Sequence, residues 1–124
     1  MTFMHIAALC TKLCGHAGQR ELLTFGSGMY GQLGHGDMSD RVAPAVVTTL
    51  PGLAILKTPL AVACGGWHTS IIIASGTASS SSTKGRLCTC GWGEAGQLGL
   101  GPNFVGRVHT PTIVDALDGV RKCS

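Results

Sequence analysis

The sequence predicts an all-β protein assembled from a repeated unit. Three observations predict it. Glycine accounts for 19 of 124 residues, about twice the usual share. Two fifteen-residue stretches, Leu22 to Gly36 (LLTFGSGMYGQLGHG) and Leu87 to Gly101 (LCTCGWGEAGQLGLG), are identical at nine positions. The segments between the glycine clusters are short and apolar, and most are rich in β-branched residues, which suits a pleated, half-buried surface. A helical bundle would be weakened at every interior glycine. Glycine also lacks the three-residue period of collagen.

The elements follow in order. His5 to Cys10 (HIAALC) aligns with His68 to Ile73 (HTSIII) at an offset of 63, so both begin matching strands, about 5–10 and 68–74. Next come strands at about 21–26 and 86–92, which enter the two glycine-rich loops at an offset of 65. Pro44-Ala-Val-Val47 aligns with Pro111-Thr-Ile-Val114 at an offset of 67, which places closing strands at about 44–49 and 111–115. Leu60 to Cys64 opens the second copy as a strand at about 60–65, without a counterpart in the first. Ser75 to Gly85 (SGTASSSSTKG) reads as a low-complexity hairpin loop or flexible insertion. Each offset change falls in turn-rich sequence, where insertions are tolerated.

Four short strands per repeat with glycine punctuation is the pattern of a propeller blade. The chain is therefore predicted to be a partial β-propeller arc of about two four-stranded antiparallel blades. It forms one domain, 1–124. Residues 5–53 make an incomplete first repeat, 54–119 the second, and 120–124 the start of a further strand.

Composition narrows the function class. Charged residues are 12% of the chain and hydrophobic residues 44%, which argues against disorder. The net charge of +3 comes from basic residues scattered along the sequence. Clustered cations on one face, the footprint of nucleic-acid binding, are absent, so nucleic acid or chromatin contact has no support here. The six cysteines are irregularly spaced, and the first residues lack the basic start of a secretory signal. Free thiols in a reducing compartment, cytoplasm or nucleus, are expected. No apolar run is long enough for a transmembrane helix.

The motifs read as structure before chemistry. Gly26-Ser-Gly-Met-Tyr-Gly31 and Gly91-Trp-Gly-Glu-Ala-Gly96 both fit GxGxxG. A dinucleotide loop would lead into a helix and an acidic residue about twenty positions on. GQLGxG and a proline follow instead. Gly26, Gly28, Gly31, Gly34, Gly36, Gly91, Gly93, Gly96, Gly99 and Gly101 are expected to allow positive φ and close backbone approach at a blade corner. Gln32 and Gln97 are expected to hydrogen-bond the loop backbone, and Leu33 and Leu98 to anchor the loops between blades. Cys88 and Cys90 align with Leu23 and Phe25, so they read as packing residues. Cys10, Cys14 and His16 are a loose metal pattern without a second half. No metal, cofactor or catalytic group is expected. The candidate partner-binding residues are Trp67, His68 and Trp92, since large aromatics near a loop face anchor partners. Interblade packing is the competing role for both tryptophans.

Cys64-Gly-Gly-Trp-His-Thr69, Cys90-Gly-Trp-Gly-Glu-Ala-Gly-Gln-Leu-Gly-Leu-Gly101 and Phe25 to Gly36 together resemble the regulator of chromosome condensation repeat family, over roughly residues 5 to 124. The resemblance implies a blade-built propeller that binds proteins and is not itself an enzyme. Members of that family include a guanine nucleotide exchange factor for a small GTPase, domains of giant ubiquitin ligases and a plant ultraviolet-B photoreceptor. The expected function is thus a protein-interaction scaffold, either part of an exchange-factor-like regulator of a small GTPase or the recruiting propeller of a ubiquitin ligase whose catalytic domain lies outside this chain. The photoreceptor branch would carry clustered tryptophans and an arginine between Trp and His. Trp67 is followed directly by His68, so light sensing is not expected. A two-blade arc leaves sheet edges uncovered, which predicts completion by further repeats or self-association.

Overall fold

The computed structural model describes residues 4–11, 20–51, 59–75, 84–102, 104 and 106–114. Among these there is no helix, and the strands form two antiparallel sheets. The first has three strands in the order β1 (His5–Thr11), β2 (Arg20–Gly26) and β3 (Arg41–Val46). The second has four: β4 (Pro59–Cys64), β5 (His68–Ser75), β6 (Lys84–Trp92) and β7 (Arg107–Ile113). Each strand pairs with its sequence neighbour, the meander of a propeller blade.

The β1–β2–β3 sheet and the β5–β6–β7 part of the second sheet share the same corner. His5 faces Gly26 across β1 and β2, and His68 faces Gly91 across β5 and β6. Both glycines have positive φ, 104° and 115°. A Cβ on Gly91 would lie 2.3 Å from the Trp67 carbonyl oxygen, and one on Gly26 would lie 2.5 Å from that of Met4. Ser27 N–H donates to Met4 O and Trp92 N–H donates to Trp67 O, each at 2.8 Å. Thr24 Oγ1 donates to Leu33 O and Thr89 Oγ1 to Leu98 O, also at 2.8 Å. The aligned sequences thus form the same corner twice.

Both closing strands begin before the proline at which the sequence reading starts them. The structure gives 41–46 and 107–113 where 44–49 and 111–115 were expected. Pro44 and Pro111 lie inside these strands. Each strand is the outer one of its sheet and its ladder is irregular beside the proline, so the missing N–H breaks no regular bond. Ser75 pairs with Lys84, which extends β5 and β6 into the segment read as a loop. Residues 76–83 lie outside the described residues. So do the repeat boundary at 53–54 and the final segment 120–124.

The core lies between the sheets. Leu22, Val47 and Leu50 from the first repeat pack with Ile71, Ile73 and Cys88 from the second, flanked by Ala7, Val62 and Ile113. Burying this apolar surface is what holds one blade against the next. Among the described residues no helix is long and apolar enough to cross a membrane.

Candidate protein-interaction site

The β1, β5 and β7 strands begin, and the β2 and β6 strands end, at one end of the sheets. The glycine corners there carry the loops. In the first loop, Tyr30 N–H donates to Gln32 Oε1 at 2.8 Å, and in the second Ala95 N–H donates to Gln97 Oε1 at 2.9 Å. Gly31 N–H bonds Gly28 O at 2.9 Å, and Gly96 N–H bonds Gly93 O at 3.2 Å. Leu33 and Leu98 are 2% and 1% exposed and hold each loop down. Gly28 and Gly93 lack positive φ. Their role is space, since a Cβ on Gly28 would lie 2.1 Å from Ser39 O and one on Gly93 2.6 Å from the Leu98 side chain.

On this scaffold three aromatic side chains from separate segments meet. Trp67 precedes β5 and Trp92 ends β6. Their ring centroids are 5.3 Å apart and nearly perpendicular, at 87°. Tyr30 arrives from the first loop, 5.8 Å from Trp67 and 6.4 Å from Trp92. These are favourable edge and tilted geometries. Arg107, at the start of β7, places its guanidinium 4.7 Å from the centre of the Tyr30 ring and donates to Met29 O at 3.4 Å. That stacking is a cation–π contact. Trp67 and Met29 remain 41% and 43% exposed, so the cluster offers an aromatic surface edged by a cation.

The structure brings Trp67 and Trp92 together. His68 lies beside them at the first residue of β5, half-buried, with its ring over Gly65. Tyr30, Met29 and Arg107 did not come out of the sequence reading as site residues. A signal for them existed: they stand where the two copies differ. Tyr30 and Met29 align with Ala95 and Glu94, and Trp67 and Trp92 align with Met4 and Ser27. Backbone repetition is preserved at all of these positions, so the differences concern surface rather than fold.

A second polar group lies between the blades. His5 Nε2 is 2.8 Å from Thr69 Oγ1, and Thr69 Oγ1 donates to Gln32 O at 2.7 Å. The ring's part in the first of these bonds, donor or acceptor, follows its tautomer. Burial holds the His5 pKa below its usual value, partly opposed by a hydrogen bond to the His68 backbone. Gln32 is fully buried, and its side-chain NH2 has no partner among the described residues.

Among the described residues, the thiols of Cys64, Cys88 and Cys90 are chemically quiet. Burial pushes Cys88 up to about 11 and Cys90 up to about 12, and it also raises Cys64. Thiolate is therefore scarce at neutral pH. Among the described residues no three His, Cys, Asp or Glu side chains converge on a metal-sized space. Cys14, His16 and the side chain of Cys10 lie outside the described residues. A cleft of about 280 Å³ lies at the opposite end of the strands, lined by Leu22, Val46, Val47, Leu50 and Pro59 with Arg20 and Glu21 at its side.

Comparison with known proteins agrees with this architecture. The model of the regulator of chromosome condensation (RCC1) repeat matches residues 21–72 and 84–124. The mouse RCC1 domain-containing protein 1 is 35% identical over 96 residues, 77% of this chain and 20% of that protein. The Arabidopsis thaliana ultraviolet-B receptor UVR8 is 36% identical over 98 residues, 79% of this chain and 19% of the receptor. Human E3 ubiquitin-protein ligase HERC2 is 33% identical over 114 residues, 92% of this chain and 2% of the ligase. The chain thus spans about a fifth or less of these relatives.

Proposed function

Because the chain belongs to the regulator of chromosome condensation repeat family, we propose that it is a non-enzymatic protein-binding segment of a propeller whose contact face is the Tyr30–Trp67–Trp92 cluster with His68 and Arg107 at its edge. One observation carries this reading. Three aromatic rings from three segments converge at a loop end, with Trp67 left 41% exposed. Tryptophan, tyrosine and arginine are the residues that most often dominate a protein interface. The glycine corners hold them on a rigid frame, which lowers the entropic cost of binding.

A small GTPase is the partner class that the family resemblance supplies. Exchange-factor activity would then arise from tighter binding to the GTPase state with an open nucleotide site. The second reading is a recruiting surface of a ubiquitin ligase. It is supported by the similarity to HERC2 and to the probable E3 ubiquitin-protein ligase HERC4 of mouse, 40% identical over 97 residues and matched over 7% of its length.

Nucleotide release from a Ran-type GTPase, measured with the chain and with Trp67→Ala, separates the two. The exchange reading expects accelerated release with the native chain. It also expects a loss of affinity of about 30-fold, near 2 kcal/mol, for Trp67→Ala. Binding of a ligase substrate at the same face without faster release favours the recruiting role. Unchanged binding of every partner by Trp67→Ala removes the aromatic face from both readings.

A further inference from the structure

Arg107 carries a charge that the described residues leave unpaired. Arg41, at the same end of the sheets, pairs with Asp37 at 2.8 Å, and Asp40 accepts the Gly28 N–H at 2.8 Å. Arg107 forms no ion pair among the described residues. It is exposed, lies over Tyr30 at 4.7 Å from the ring centre, and gives one N–H to Met29 O at 3.4 Å. Stacking fixes the plane of the guanidinium, and the rest of its fork of donors stays unused. Trp92 faces Arg107 across β6 and β7. The group sits at the junction of the two repeats, with Tyr30 from the first and Trp67, Trp92 and Arg107 from the second.

The rings exclude one kind of partner. Their centroids lie between 5.3 and 6.4 Å apart, so they touch one another and leave no gap for an ammonium group. A cationic side chain would also meet the Arg107 charge. An anion is what this edge lacks. A single carboxylate matches it better than a phosphate dianion. One guanidinium faces the site, and Glu94, exposed two residues beyond Trp92, adds a negative charge at the same end. Beside the guanidinium the surface is apolar, since Trp67 and Met29 are 41% and 43% exposed. Methionine adapts to side chains of varied shape.

We propose that this face takes a segment of a partner protein in which a Glu or Asp lies two residues from a large apolar side chain. The carboxylate accepts N–H groups from the free edge of Arg107, and the apolar side chain packs on Trp67 and Met29. In an extended segment, side chains two residues apart share one face at about 7 Å. Tyr30 contacts both Trp67 and Arg107, so the apolar and cationic parts of the surface adjoin on that scale. The proposal rests on the aromatic cluster being the contact face, and it adds the chemistry of what binds there.

Fluorescence anisotropy of a fluorescein-labelled Ser-Glu-Thr-Leu-Thr-Glu-Ser peptide with the 124-residue chain tests it. Binding is expected below about 1 mM. The same peptide with Gln for both Glu is expected to bind about fivefold more weakly. A peptide with phosphoserine for both Glu is expected to bind no more tightly than the Glu peptide. In Arg107→Gln the Glu and Gln peptides are expected to bind alike, and Arg107→Lys, which keeps the charge but not the fork, is expected to recover part of the difference. Circular dichroism checks that the variants stay folded. If Arg107→Gln fails to fold, Arg107→Lys decides, and an undiminished difference between the peptides there overturns the proposal. It is also overturned by no binding of the Glu peptide, by tighter binding of the phosphoserine peptide, or by a Glu–Gln difference that persists in Arg107→Gln. Equal binding of the Glu and Gln peptides that is lost in Trp67→Ala overturns it too, but keeps the aromatic face as a binding surface. Glu-peptide binding that Trp67→Ala leaves unchanged overturns both.

Discussion

At the scale of single residues, the group with the largest consequence is the His5–Thr69–Gln32 chain. It joins β1 of one repeat to the first loop and to β5 of the next. His5 is 7% exposed and kept neutral by burial. Its pKa is lowered from 6.5 in the folded state, so the unfolded chain takes up the proton first as pH falls. Stability from this group is complete above pH 6.5 and is lost as the pH falls from there toward the folded pKa. His35, whose imidazole is also held low by burial, acts in the same direction. Thermal melts at pH 7.5 and 5.5 are expected to show lower stability in acid. His5→Gln keeps a hydrogen-bonding amide beside Thr69 without a titrating ring, and is expected to reduce that dependence. An unaltered pH profile in His5→Gln would assign the acid sensitivity elsewhere. The residue scale is also where sequence reading was least complete. His5 and His68 are visible as a repeated pair, but their contacts are not. His5 bonds across to the other repeat at Thr69, a residue sixty-four positions away.

At the scale of elements, the glycine corner is the unit. Its form was legible because the same spacing occurs twice and only glycine accepts φ near 100° at low cost. Gly91 has φ 115° and faces the Trp67 carbonyl at a distance no Cβ can share. Gly91→Ala is expected to destabilise the chain by at least about 2 kcal/mol in denaturant melts. Gly66→Ala is the control, since a Cβ there meets nothing within 4 Å, and its effect is expected to stay within about 0.5 kcal/mol. Equal losses in both variants would mean that the corner geometry contributes nothing special. The closing strands were less legible. Proline reads locally as a boundary, yet an outer strand with an irregular ladder accepts it inside. Only the sheet's strand order reveals which strand is outermost.

At the scale of the whole molecule, stability resides between the blades. Leu22 belongs to the first sheet but packs with Ile71, Ile73 and Cys88 of the second. Leu22→Ala is expected to cost about 2–5 kcal/mol. Both tryptophans lie in the second repeat, so fluorescence reports on the sheet that does not contain the substitution. The fluorescence midpoint is expected to drop together with the circular dichroism midpoint. A fall in circular dichroism alone would mean that the two sheets unfold independently. The same interblade packing gathers Tyr30, Trp67, Trp92 and Arg107 at one end of the sheets.

The residue order alone determined that this chain is all-β, that it is duplicated and that each copy turns on the same glycine corner. Those properties depend on local spacing, backbone sterics and the two-residue period of strands, all of which can be read along one dimension. The tertiary structure decided which strands accept a proline and which aromatic residues meet. Those outcomes depend on contacts between segments tens of residues apart, which no spacing along the chain records.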